Sequence, residues 1–297
     1  MADQRDALVD SDGTSTTGAR PCGPPPPQRS ESSYRVDAMH IPDSMRYMMN
    51  HARRGRCLIF NFESFHGHQA PGQREGTDVD VREIKRVFYQ LGFEVEVHTN
   101  RKARDMEDML WDEAMENTGA EVDCFVCFVL SHGQLGKIYA SDDCIKLQAL
   151  SRPFTSSVAK HLQGKPKIFF VQACQEVGGD YNAAIDGEWS YDIPSHPDIF
   201  FAFSTPPGYY SWRNPRTGSY FIQTLCKVLD DSITAEGTSP DLETLVIGVN
   251  RYISFKFESY VPTKEKLHEK KQTCCYITTL TKKVVFSKRS TGSRRII

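Results

Sequence analysis

Two short segments of this chain place a reactive side chain directly after an apolar run: Val129-Leu130 leads into Ser131-His132-Gly133, and Phe170-Val171 leads into Gln172-Ala173-Cys174. A thiol and an imidazole brought together can do nucleophilic chemistry. The thiolate is the reactive form, and a neighbouring imidazole either takes the thiol proton or stabilises the anion, then protonates a departing amine. Gly133, lacking a side chain, leaves its backbone NH free to face an oxyanion, with the NH of Cys174 as a natural second donor. Taken singly, a histidine at a strand end is an ordinary polar cap and a cysteine an ordinary core filler. Their shared setting sets them apart.

That setting depends on the elements that carry them. Cys57-Leu58-Ile59-Phe60-Asn61-Phe62 is a compact run of strand length, after which the period changes. Val81, Ile84, Val87, Phe88 and Leu91 follow helical spacing, with Thr77 or Asp78 as the expected cap and Gly92 as the stop. Phe93 to Val97 alternates as a strand, and Met106, Met109, Leu110 and Ala114 mark one side of a second helix. Further strands are expected over 122–130, 167–171, 199–203, 275–280 and 284–286, and further helices over about 218–231 and 240–257. Strands alternating with helices, several of them apolar throughout, predict a three-layer α/β fold: a mostly parallel central sheet with helices on both faces. In such sheets ligands bind beyond the carboxyl ends of the strands, where His132 and Cys174 fall.

Composition narrows the function classes. Of 297 residues, 39% are hydrophobic and 25% charged, ordinary values for a globular chain, and the net charge of −2 with a pI near 6.5 offers no footprint for nucleic acid or a membrane surface. Residues 1–37 are polar, contain Pro24-Pro25-Pro26-Pro27 and have few large apolar side chains, so a disordered leader is expected there, without the apolar stretch of a secretory signal. No apolar run reaches the ~20 residues of a membrane-spanning helix, and a cytoplasmic protein is expected. The nine cysteines lack the spacing of a disulfide framework. Cys124 and Cys127, three apart in a strand, should point to opposite faces and so cannot share a metal ion. His66-Gly67-His68 reads as loop, since two imidazoles without further ligands make a weak metal site. No phosphate-binding glycine motif follows any strand. Neither metal nor organic cofactor is called for.

Several motifs, in order, resemble one family. Gln172-Ala173-Cys174-Gln175 is similar to the caspase pentapeptide. Arg74-Glu75-Gly76-Thr77-Asp78-Val79-Asp80 resembles the family's arginine loop, Ser131-His132-Gly133 its histidine motif, and Gly164-Lys165-Pro166-Lys167 the lead into its cysteine strand. The stretch from Ser204 to Asn214 is similar to the substrate-groove segment of executioner caspases, with Gly218-Ser219-Tyr220-Phe221-Ile222-Gln223 following in place. The likeness covers roughly residues 38–288.

The resemblance implies a cysteine endopeptidase that cuts proteins after aspartate. Cys174 would be its nucleophile, His132 its acid/base, and Gly133 an oxyanion donor. Arg74, Gln172 and Arg213 would hold the aspartate side chain, a role suited to guanidinium forks that make paired charge-assisted hydrogen bonds. Tyr210, Ser211, Trp212 and Asn214 would line neighbouring subsites, with Tyr260 at the groove's far end. Zymogen cleavage is implied at Asp37, preferred over Asp10, and at Asp186, preferred over Asp180 and Asp192. These cuts would divide the chain into a leader of 1–37, a large part of 38–186 and a small part of 187–297. A homodimer through the 275–280 strand, an upstream initiator caspase, inhibitor-of-apoptosis proteins and an executioner role in apoptosis follow from the same likeness. One position departs from it: the family pentapeptide ends in glycine, where Glu176 stands. A carboxylate so near the thiol supports an alternative, a catalytically weak regulator that binds active caspases.

Overall fold

A computed structural model describes residues 45–67, 70–116, 121–175, 196–234, 239–259 and 268–289, all within the larger of two compact units of the chain, 41–297. The order of elements is β1 (Arg56–Asn61), α1 (Thr77–Gln90), β2 (Glu94–Thr99), α2 (Ala103–Met115), β3 (Phe125–Leu130), then a small antiparallel sheet of β4 (Gly133–Gln134), β5 (Lys137–Tyr139) and β6 (Cys144–Lys146). After α3 (Gln148–Ser151) and a 3₁₀ turn at Lys160–Leu162 come β7 (Lys167–Gln172), β8 (Ile199–Phe203), the short pair β9 (Arg213–Asn214) and β10 (Gly218–Ser219), α4 (Tyr220–Thr234), α5 (Leu242–Lys256) and β11 (Cys275–Thr278).

The central sheet has the order β11-β8-β7-β3-β1-β2, parallel except for β11, which runs antiparallel to β8 at one edge. β1, β3, β7 and β8 are buried almost end to end, as a sheet covered on both faces requires. Alternation divides their side chains between two cores. Phe128 stacks on Phe170 at 4.8 Å beneath α1, α4 and α5, whereas Phe169 stacks on Phe201 at 4.7 Å in the other layer with α2. Each such phenylalanine contributes about 1.5–3 kcal/mol by burial. Cys124 and Cys127 fall in opposite cores, as the period of two predicts.

Three expectations need correction. Neither Thr77 nor Asp78 caps α1: Gly76, at φ 77°, is the capping residue, and Thr77 Oγ1 instead donates to Asn61 Oδ1 at 2.6 Å. Residues 284–286 are no strand; Val284 and Phe286 are buried without ladder partners, so apolarity there serves packing alone. The last strand stops at Thr278, short of residue 280.

At the sheet's amino end, away from the reactive residues, lies a buried ionic cluster. Asp123 is fully enclosed, with Oδ2 accepting from Arg54 Nη1 at 3.0 Å and Arg289 Nη2 at 2.6 Å, and Oδ1 accepting from the His51 backbone NH at 2.8 Å. Burial pushes the Arg54 guanidinium below its ordinary range, and the Asp123 carboxylate opposes that shift. Asp123→Asn strands two cations around a neutral amide and should cost about 3–5 kcal/mol of stability. Urea unfolding measures this, and a loss below about 1 kcal/mol would contradict it.

Candidate active site

β3 and β7 are adjacent and in register, Leu130 opposite Gln172, so the segments that follow them emerge side by side. Their closeness is set by a glycine. A Cβ on Gly133 would lie 2.6 Å from the Cys174 carbonyl oxygen and 2.9 Å from that of Lys137, closer than a side chain can come without the backbone moving. The residue next to His132 therefore packs directly on the nucleophile's own backbone. Gly133 also opens β4, opposite Ile138.

The His132 Nε2 lies 2.9 Å from the Gly72 carbonyl oxygen, an atom that only accepts, so Nε2 carries the proton and Nδ1 the lone pair. Phe65 lies against the ring at a centroid distance of 5.2 Å. Burial, then the Arg74 charge, push the imidazole from 6.5 down to about 4, against the opposing effect of the Gly72 bond. His132 is thus a neutral base over the whole ordinary assay range. The kcat/KM profile should show no protonation limb between pH 5 and 7, its acid fall lying near 4; a limb centred at 6.5 would mean an unperturbed imidazole. Stability follows the same linkage: between pH 6.5 and 4 the unfolded chain binds a proton here that the native one refuses, so this group's effect is to lower stability as the pH falls through that window.

Cys174 Sγ sits between backbone groups of Ser211, 3.4 Å from its nitrogen, which donates, and 3.7 Å from its oxygen. Gln172 Nε2 donates to Ser211 Oγ at 2.7 Å, while its buried Oε1 has no partner among the described residues. Trp212 packs on the core beside Phe257, and its backbone NH donates to Gln272 Oε1 at 3.0 Å. Tyr210 is exposed, with its ring 6.4 Å from that of Trp212. Asn214 acts locally, its Oδ1 accepting from the Arg216 and Thr217 nitrogens to close a turn.

Two arginines converge on the thiol. Gly76 lets them approach, since a Cβ there would fall 2.1 Å from the Pro215 carbonyl oxygen, and Arg213 Nη1 donates to the Glu75 carbonyl. Arg74 is buried and donates to the Phe62 carbonyl at 2.8 Å and Thr77 Oγ1 at 3.0 Å. Its pKa is pushed down to about 9, first by burial and then by the Arg213 charge; burial lowers that of Arg213 as well. The Cys174 sulfur lies close enough for its anion to favour both charged forms. Among the described residues neither guanidinium pairs with a carboxylate. Asp80 attracts both, but its oxygens are taken by the Ser219 nitrogen, at 2.9 and 3.1 Å, and by Gln223 Nε2 at 2.7 Å.

Three contributors carried no sequence signal as site parts. The Gly72 carbonyl is backbone, Gln272 acts from a distant loop, and Asp80 joins two motifs that had been matched separately. Tyr260, Glu176, Asp37, Asp180, Asp186, Asp192 and His68 lie outside the described residues.

A parallel α/β sheet that brings a thiol and a neutral imidazole to its carboxyl edge, beside two cations, defines a cysteine-type endopeptidase. A family profile described as "Caspase domain" matches residues 54–285. The chain is 35% identical over 274 residues to Caspase-7 of Gallus gallus, covering 88% of this chain and 85% of that protein. It is 39% identical over 250 residues to Caspase-1 of Spodoptera frugiperda, covering 82% of each. The crystal structure of the latter superposes with a TM-score of 0.73 at 38% identity, covering 84% of this chain and 98% of that one. The chain belongs to the caspase family.

Proposed function

We propose that this protein cuts polypeptides after aspartate. The observation that carries the reading is the pair of converging, carboxylate-free guanidiniums of Arg74 and Arg213 beside Cys174. A desolvated cation pair is costly until an anion arrives, and an aspartate carboxylate is an anion of the right reach. With the carboxylate held there, Cys174 passes its proton to His132 Nδ1 and its sulfur attacks the following carbonyl. The NH groups of Gly133 and Cys174 receive the oxyanion. As the C–N bond breaks, Nδ1 hands the proton to the leaving amine, and water then hydrolyses the thioester, returning a proton to sulfur. The Gly72 carbonyl keeps the ring in the tautomer this cycle needs.

Tetrapeptide reporters ending in Asp, Glu, Asn or Arg test the reading. Turnover should be confined to Asp; equal turnover of Asn would remove the basis for the arginine pocket. Executioner-like relatives support a cytoplasmic zymogen cut at Asp37 and Asp186, acting in apoptosis downstream of an initiator caspase and open to inhibitor-of-apoptosis proteins. The antiparallel edge strand β11 supports a homodimer, which a monomer at micromolar concentration by sedimentation would contradict. Cys174, His132, Arg74 and Arg213 are all present and gathered, a set that a non-cutting regulator does not require.

A further inference from the structure

Beside His132, and sharing no residue with the segment from Ser211 to Asn214, is a cavity of about 230 Å³. Its lining includes Phe65 and Pro71 on one wall, Gln134 and Tyr139 on another, and Asp142 and Asp143. The walls are tied to the imidazole: Phe65 packs on its ring, Pro71 precedes the Gly72 carbonyl that holds it, and the Tyr139 NH donates to the His132 carbonyl at 2.9 Å. Gln134 Nε2 in turn donates to Tyr139 Oη at 2.9 Å, fixing the polar surface.

The position determines what could enter. His132 delivers its proton to the leaving amine, so the chain beyond the cut bond must pass the imidazole, while the aspartate side chain is drawn towards Arg74 and Arg213. A cavity walled by the histidine's own supports therefore lies on the leaving-group side. Among the described residues its lining carries two carboxylates and, as the one basic group, the imidazole of His66. Asp142 Oδ1 accepts from the Ala103 nitrogen at 2.8 Å and Asp143 Oδ1 from the Cys144 nitrogen at 2.7 Å; neither carboxylate is paired with a cation, and no lysine or arginine lines the cavity among the described residues.

We propose that this cavity receives a side chain from one of the first two residues after the cut bond, and that Asp142 and Asp143 select lysine or arginine there. The proposal rests on the aspartate-cutting reading. It gives the protein a two-signed recognition rule: an acidic residue before the bond, held by arginines, and a basic one after it, held by aspartates. The pull of a partly solvated carboxylate pair is modest and falls with salt.

Two series of internally quenched peptides test it, identical through the aspartate and carrying Lys, Gln or Glu at the first or the second following position. An aspartyl-coumarin reporter, which has no residue beyond the bond, is run in parallel. At low salt the kcat/KM ratio of Lys to Glu should reach about tenfold in one series, shrink at high salt and approach one in the Asp142→Asn/Asp143→Asn double variant. Asparagine keeps the oxygens that accept from Ala103 and Cys144, and the ratio does not depend on how much enzyme is folded. Coumarin turnover with ratios near one in both series, or a ratio that survives the double variant, overturns the proposal while leaving the aspartate reading intact. Absence of coumarin turnover overturns both.

Discussion

Cys174→Ala should lower kcat on an aspartyl reporter by about 10⁶-fold, to the limit of detection, because the remaining groups can bind and polarise a carbonyl but supply nothing to attack it. The fold should survive. The sulfur is only partly buried, so its removal opens no large void in the core. Calorimetry of the variant separates lost chemistry from lost structure, and residual turnover above about one part in a thousand would point to another nucleophile. Five other thiols among the described residues offer none: burial pushes Cys57, Cys124, Cys127 and Cys226 well above the usual thiol range, and Cys275 up to about 11.

The second large effect belongs to Arg213. Arg213→Met keeps the length of the side chain and removes its charge, and should cut kcat/KM for the Asp reporter by about 10²–10³-fold, the loss expected when one member of a desolvated charged pair is removed. The Asp-to-Asn preference should collapse with it. Stability should move the other way. Arg213 holds the Arg74 pKa down, so its removal relieves a repulsion inside the folded state, and the melting temperature of the free enzyme should rise. Binding sites that hold like charges ready for a ligand destabilise the empty protein, and a variant that lost activity and stability together would contradict this account.

Much of this was legible in the sequence because it rested on periodicity and strand ends. Uniformly apolar runs gave β1, β3, β7 and β8, and the pair His132 and Cys174 followed from where two of those runs stop. Shorter signals failed for physical reasons. The strands β4, β5 and β6 are too short to show a period, and the apolar pair Val284 and Phe286 fills a core without joining a ladder. The start of α1 misled because Thr77 has the chemistry of a cap, while the packing of Gly76 on Pro215 decided the backbone instead. Backbone atoms were invisible throughout: the carbonyl of Gly72 and both polar groups of Ser211 shape the site through position alone. Arg74 and Arg213 entered only through family likeness, since nothing in spacing distinguishes an arginine that meets another from one that meets water.

The neighbouring strands β7 and β8 lie side by side and parallel, yet the chain between them runs through residues 176–195. Cutting it there changes the covalent connectivity of the molecule and leaves the ladder from Lys167 to Phe203 untouched. Arg289 and the Ser287 carbonyl, from beyond the cut, still grip Asp123 and Arg54 at the far end. What changes is molecularity. Before the cut, unfolding is a first-order affair within one chain; afterwards each half leaves a raw strand edge, and refolding must first find its complement in solution. The melting point of the nicked protein should therefore rise more steeply with concentration than that of the intact chain, whose two parts stay covalently joined.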